Sequence, residues 1–241
     1  MESKYRAYSF VDGASRIRQI LNQSDIDYQE RDSLPPRDAL TFKNGFYANC
    51  SALFIDIRKS SELPAKHKRP VLARLYRAFV SEMVAVLCGD VDVREVNIVG
   101  DCVWAIYDTP LQRDIDGVFE RAFTANSMVK ILNKELSNRG ITTIQVGLGM
   151  AWGRALMVKA GYEGSGINDV VYMGDVVNRA AKLAAQGNKT YFDDTLMVDD
   201  VFYSNLNEHN KSLLRWNQSR GCWHGEVIQT GIEEWTNEQY S

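Results

Sequence analysis

VDVREVNIVGDCVWAIYD, residues 91–108, reads as two strands rich in β-branched and aromatic residues, separated only by Gly100-Asp101. That spacing is the signal of a tight hairpin. The flanking segments decide how the hairpin is used. Upstream, YANCSALFIDI (47–57) is an apolar-rich strand, and RPVLARLYRAFVSEMVAVLCG (69–89) carries apolar residues at helical spacing up to a stop at Gly89. Downstream, residues 112–138 fit a second long helix ending before Gly140, and TTIQVGLGMAWG (142–153) fits a further strand. Strand, helix, strand, strand, helix, strand is the split βαβ order. It predicts an α+β, ferredoxin-like domain with a mainly antiparallel sheet flanked by helices.

The remainder is arranged around this unit. A strand is predicted at VVYM (170–173), a helix over DVVNRAAKLAAQG (175–187) and a strand at TYF (190–192). Residues 5–22 read as a short amphipathic helix and 23–46 as a polar connection broken by Pro35-Pro36. The expected organisation is therefore an N-terminal helix and linker over 1–46 and one main domain over 47–241.

Composition narrows the function classes. With 45% hydrophobic and 24% charged residues, the chain is neither disordered nor fibrous. Lysine plus arginine number 28 against 31 acidic residues, a net charge of -3, so no global field favours a nucleic-acid backbone. Four scattered cysteines without a CxxC pair and three unrelated histidines argue against structural zinc and against a disulfide framework. MESKYRAYSF has no apolar leader, and stretches such as MVAVLC (83–88) are too short to span a bilayer. A cytoplasmic protein without membrane insertion is expected.

Asp56 lies near the end of the apolar strand ALFIDI, where an unpaired charge is costly to bury. Asp101 sits at the hairpin tip. In a split βαβ sheet the first strand lies beside that hairpin, so the two carboxylates are expected to converge at one sheet edge. Converging carboxylates repel unless a cation stands between them, and hard oxygen ligands suit Mg²⁺ or Mn²⁺. The RKSS turn (58–61) that follows offers backbone amides for phosphate oxygens. Further on, Asn178 and Lys182 are i, i+4 neighbours on one helix face behind Asp175, an expected N-cap, while Arg179 reads as a solvated residue on another face. An amide and an ammonium on one face suit a sugar and a phosphate; such pairs are also common on solvated helices.

In this order the motifs resemble those of the class III nucleotide cyclases. FIDIRKSS is similar to the first metal-binding signature of that family, NIVGDCVWAIY to the second, and YMGDVVNRAAKLA to the helix bearing the transition-state asparagine and arginine. The resemblance, over about residues 48–195, implies two divalent metal ions, Mn²⁺ or Mg²⁺, on Asp56 and Asp101 with the Ile57 backbone in support. It also implies catalytic roles for Asn178, which would orient the ribose, and for Lys182, which stands where the family usually has arginine. A homodimer with shared active sites follows from the same resemblance. The base-reading positions depart from both purine patterns: Asn97 replaces lysine or glutamate, and Val171 replaces aspartate. DSLPPRDALTFKNGFYANCSALFIDI (32–57) looks like the Pycsar pyrimidine cyclases of bacterial antiphage defence. That likeness implies conversion of UTP, with CTP as the alternative, into a cyclic nucleotide read by a separate effector. Tyr47 suits stacking on a pyrimidine, and Arg220, near His224 in SRGCWHGEV, is a candidate for gripping the triphosphate. A silent nucleotide sensor on the same fold is the non-enzymatic alternative. A diguanylate cyclase is disfavoured because the hairpin reads VGDCV rather than GGDEF.

Overall fold

A computed structural model of the chain describes residues 5–240. In chain order its main elements are α1 (Phe10–Leu21), β1 (Tyr28–Glu30), β2 (Gly45–Ile57), α2 (Leu63–Lys66), α3 (Arg69–Leu87), β3 (Val93–Val99), β4 (Cys102–Asp108), α4 (Gln112–Asn138) and β5 (Val146–Tyr162). There follow β6 (Ile167–Met173), α5 (Asp175–Ala184), β7 (Leu196–Val198), α6 (Asp200–Ser204), α7 (Glu208–Ser212), β8 (Arg215–Asn217), β9 (Cys222–Gly225) and α8 (Thr230–Tyr240). The strands form one sheet in the order β3-β4-β2-β5-β7-β9-β8, with β1 paired to β2 and β6 to β5. All pairings are antiparallel except β1 with β2 and β5 with β7. The split βαβ unit of the sequence reading is β2-α3-β3-β4-α4-β5, and β2 lies at its centre.

Strand parity divides the interior. Leu53, Ile55 and Ile57 of β2 face α3 and α4 and join Leu75, Phe79 and Phe119 in the larger core. Burying each phenylalanine fully contributes roughly 1.5–3 kcal/mol. The alternate residues Phe46, Ala48, Cys50, Ala52 and Phe54 face the other way, toward Tyr172 and the buried side of α5. That side is Val176, Ala180 and Ala184, at i, i+4 and i+8. The helix lies almost on the strand backbone. A Cβ added at Gly149 would stand 2.1 Å from the Ala180 carbonyl oxygen, and one at Gly147 would stand 2.2 Å from that of Ala184. The two glycines therefore set the height of α5 above the sheet.

Three expectations are corrected. The stretch 23–46 is not merely a connection: β1 runs parallel to β2, and Leu34 and Leu40 are buried in the α5-side core. Their apolar side chains are spaced too sparsely to give a periodic signal. TYF (190–192) is not a strand; Tyr191 and Phe192 are 97% and 77% exposed, and the strand is β7, beside β5. Asp175 is the first residue of α5 and Gly174 its cap.

Candidate active site

The hairpin between β3 and β4 turns at Gly100, whose φ of 65° lies in the left-handed region that glycine adopts without cost. This tight turn leaves Asp101 immediately before Cys102, which is the cross-strand partner of Asp56. The expected convergence is present, and its electrostatics are visible in three groups. Burial pushes the Asp56 carboxyl up, Arg58 opposes that shift, and the charge of Asp101 adds to it. Burial and both aspartates push the Cys102 thiol up to about 12. Burial and Asp101 together raise Tyr76 on α3.

Arg58 was not legible as part of this site. Its guanidinium forms an ion pair with Asp56 Oδ2 and donates to the Ala185 carbonyl at 2.9 Å, just beyond α5. One cation already stands on the carboxylate end and ties it to the helix. The Arg58 backbone N–H donates to the Gln145 carbonyl at 2.7 Å, so the first amide of the RKSS turn is spent on the sheet.

The donor set fits a hard divalent cation, since two half-buried carboxylates repel one another and offer oxygen only. Among the described residues no group of three or more His, Cys, Asp or Glu side chains gathers into a cage. Ligands beyond Asp56, Asp101 and the Ile57 carbonyl would be phosphate and water, the manner in which Mg²⁺ is usually bound.

Asn178 and Lys182 lie together on α5, both exposed, on the side away from Val176, Ala180 and Ala184. Neither side chain makes a hydrogen bond or ion pair among the described residues. Arg179, expected to be solvated, instead reaches the buried Asp199 at 3.5 Å. Asn97 is half-buried on β3 opposite Trp104, which stacks on Phe54 at 4.9 Å with the rings 2° apart. Val171 is exposed on β6, whereas its neighbour Tyr172 turns inward and donates to Glu95 Oε2 at 3.1 Å. Glu95 also accepts from Arg37 Nη1 at 2.8 Å, a contact between residues far apart in sequence.

Two candidates pair with residues other than Asp56. Tyr47 is nine residues away along β2, about 30 Å at the rise of a strand, and odd spacing puts it on the other face of the sheet. Its ring is covered by the Arg154 guanidinium, 3.7 Å from the centroid. Arg220 is held by Asp193, donating from Nε at 2.9 Å and from Nη2 at 2.6 Å. His224 is buried, and its Nε2 accepts from Arg215 at 3.1 Å.

The model of the adenylate and guanylate cyclase catalytic domain matches residues 42–213. The chain is 37% identical over 234 residues to a uridylate cyclase of Treponema porcinum, covering 95% of this chain and 81% of that protein. It is 40% identical over 216 residues to a uridylate cyclase of Gulbenkiania mobilis, covering 87% and 83%. Among solved structures, a class III adenylyl cyclase-like ATP-binding protein from Pseudomonas aeruginosa superposes with a TM-score of 0.71 at 18% identity, over 94% of this chain and 50% of that one. With the two aspartates converging, the asparagine helix in place and the family match spanning most of its length, the chain belongs to the adenylate and guanylate cyclase catalytic domain family.

Proposed function

We propose that this protein is a uridylate cyclase that converts UTP into 3′,5′-cyclic UMP and pyrophosphate. The observation that carries the reading is the meeting of Asp56 and Asp101 in a chain that, over most of its length, is similar to two proteins named uridylate cyclase. The ribose 3′-oxygen attacks the α-phosphorus as the bond to the β-phosphate oxygen breaks. The hydroxyl proton leaves to water and pyrophosphate carries away the bonding pair. Asp56 and Asp101, with the Ile57 carbonyl, would hold two divalent ions, Mn²⁺ or Mg²⁺, which when bound acidify the 3′-hydroxyl and offset triphosphate charge. Asn178 orients the ribose, and the Lys182 ammonium offsets charge developing on the transferring phosphoryl group. Lysine is a point charge and cannot form the planar two-point contact of arginine.

The outward face of α5 suits a homodimer in which each active site takes its aspartates from one chain and Asn178 and Lys182 from the other. No helix among the described residues is long and apolar enough to cross a membrane. The setting we infer is the cytoplasm, with cyclic UMP as an antiphage second messenger read by a separate effector. The test is competition among all four nucleoside triphosphates over pure protein with Mn²⁺, followed by separation of the cyclic products. Cyclic UMP is the expected main product; dominant cyclic AMP or cyclic GMP would overturn the pyrimidine reading, and dominant cyclic CMP the choice of uracil.

A further inference from the structure

Arg37 belongs to the stretch read from sequence as a connection, yet it bridges the two sides of the α5-facing cradle. Its Nη1 donates to Glu95 on β3 at 2.8 Å and its Nη2 to Asp169 on β6 at 2.5 Å. These strands are far apart in the sheet order, and the Tyr172 hydroxyl closes the same gap by donating to the second oxygen of Glu95 at 3.1 Å. The Glu95 side chain is only 6% exposed, whereas that of Arg37 is 50% exposed. A guanidinium has five N–H donors and no acceptor. Two are spent on the carboxylates, which lock the fork in place, and three remain on a half-exposed side chain.

The chemistry of the surroundings suits a nucleobase. Glu95 and Asn97 alternate along β3 and so share a face, about 7 Å apart. Opposite Asn97 stands Trp104, stacked on Phe54, a flat aromatic wall beside a polar rim. Asn97 offers one donor and one acceptor, which match either uracil or cytosine after a flip of the amide. It therefore cannot separate the two rings. Position four does separate them: uracil carries a carbonyl there and cytosine an amino group. A donor-only group fixed at that edge accepts the first and leaves the second facing another donor.

The geometry points to Arg37 as the residue that selects uracil over cytosine, donating to the O4 carbonyl of the base while Glu95 and Asp169 hold its fork in place. This rests on the pyrimidine-cyclase reading above. The test compares UTP with CTP over the full chain and its Arg37→Ala and Arg37→Lys variants, as the ratio of kcat/KM values. Dissociation constants for 3′-deoxy UTP and 3′-deoxy CTP, which lack the attacking hydroxyl, give the same comparison without turnover. Arg37→Ala is expected to lower the UTP-to-CTP ratio roughly 10- to 100-fold, the range for a hydrogen bond from a charged donor. Arg37→Lys, which keeps the charge and loses the fork, is expected to lower it less, by about threefold or more. A guanidinium that only ties β3 to β6 would depress both substrates alike, so a ratio unchanged within about twofold in a folded variant overturns the inference. Where Arg37→Ala does not fold, Arg37→Lys decides. A wild-type chain that prefers UTP with variants that keep that preference removes Arg37 alone; a wild-type chain that cyclises only purines removes the pyrimidine reading and Arg37 with it.

Discussion

The carboxylate end of β2 and the outward face of α5 are built on opposite physical terms. Asp56 and Asp101 are held near each other against their own repulsion, with burial raising Asp56 and Arg58 drawn in as a counter-charge. Asn178 and Lys182 carry no such conflict. They stand exposed on a helix whose other side is clamped to the sheet, with no partner among the described residues. The first region gathers carboxylates around the Arg58 guanidinium, and the second presents two exposed polar groups on one helix face. In the proposed cyclase each is half of a site. Arg58 links them within one chain, from Asp56 to the carbonyl that follows α5.

The carboxylate half should fail more completely than the donor half. Asp56→Asn or Asp101→Asn keeps the side-chain volume and removes a charged oxygen ligand. Cyclisation is expected to fall by more than about 10³-fold, since the ions position and neutralise the triphosphate together. Circular dichroism and the melting temperature should stay near wild type, and near wild-type turnover in either variant removes the metal assignment. Asn178→Ala is expected to cost roughly 10²–10³-fold in kcat, as for one preorganised donor. Mixing it with Asp56→Asn chains under subunit exchange should restore turnover, because one intact site then assembles from two defective chains. Mixed chains that remain inactive would place both halves within one subunit.

How far these halves were legible follows from how local their causes are. The β3–β4 hairpin is written in Gly100-Asp101, and the place of Asp56 beside it follows from the element order alone. The face of α5 follows from 3.6-residue periodicity. Arg58 on Asp56, Arg37 on Glu95, and Arg179 on Asp199 were not legible, because a guanidinium at the end of a long flexible stem has many possible partners. The Arg154 guanidinium over the Tyr47 ring was likewise not legible, whereas the odd spacing of Tyr47 from Asp56 already puts the two on opposite faces of the strand. The strand expected at TYF (190–192) was drawn by β-prone aromatics, while the three-residue apolar run of β7 is fixed by pairing with β5 and β9.

The height of α5 offers a way to damage the donor half without touching a donor. In Gly149→Ala the new Cβ would fall 2.1 Å from the Ala180 carbonyl oxygen and 2.2 Å from the Ala184 nitrogen. These are backbone atoms, so the helix itself must lift. A loss of about 3 kcal/mol in stability is expected, with turnover down about 10²-fold, the effect of shifting a positioning group by roughly 1 Å. Gly153→Ala is the internal control, because its nearest neighbour is the Val176 Cβ at 3.9 Å, an ordinary contact. Denaturant melts and initial rates on the two variants check both parts. Equal behaviour of the two would mean that close packing at Gly149 does not set the position of Asn178.

The smallest effect on turnover is expected at Arg220, which sits in neither half. Its two hydrogen bonds hold the buried Asp193 carboxyl well below the usual carboxylate range. Arg220→Ala leaves that carboxylate buried without its cation and should lower stability by about 3 kcal/mol at neutral pH. Initial rates measured well below the melting temperature should change by less than about threefold. The pH dependence has a definite sign. Asp193 is depressed in the folded state, so its contribution is complete above the unfolded value of about 4 and is lost as pH falls through the folded value. In Arg220→Ala the carboxyl titrates nearer the unfolded value, so the stability gap between the two proteins should stay level from pH 7 to about pH 5 and narrow only as pH falls below about 4. Denaturant melts across that range measure the gap directly. A constant gap would show that Arg220 stabilises the β8–β9 hairpin through packing of its stem, and a large loss of turnover at full folding would return Arg220 to the triphosphate.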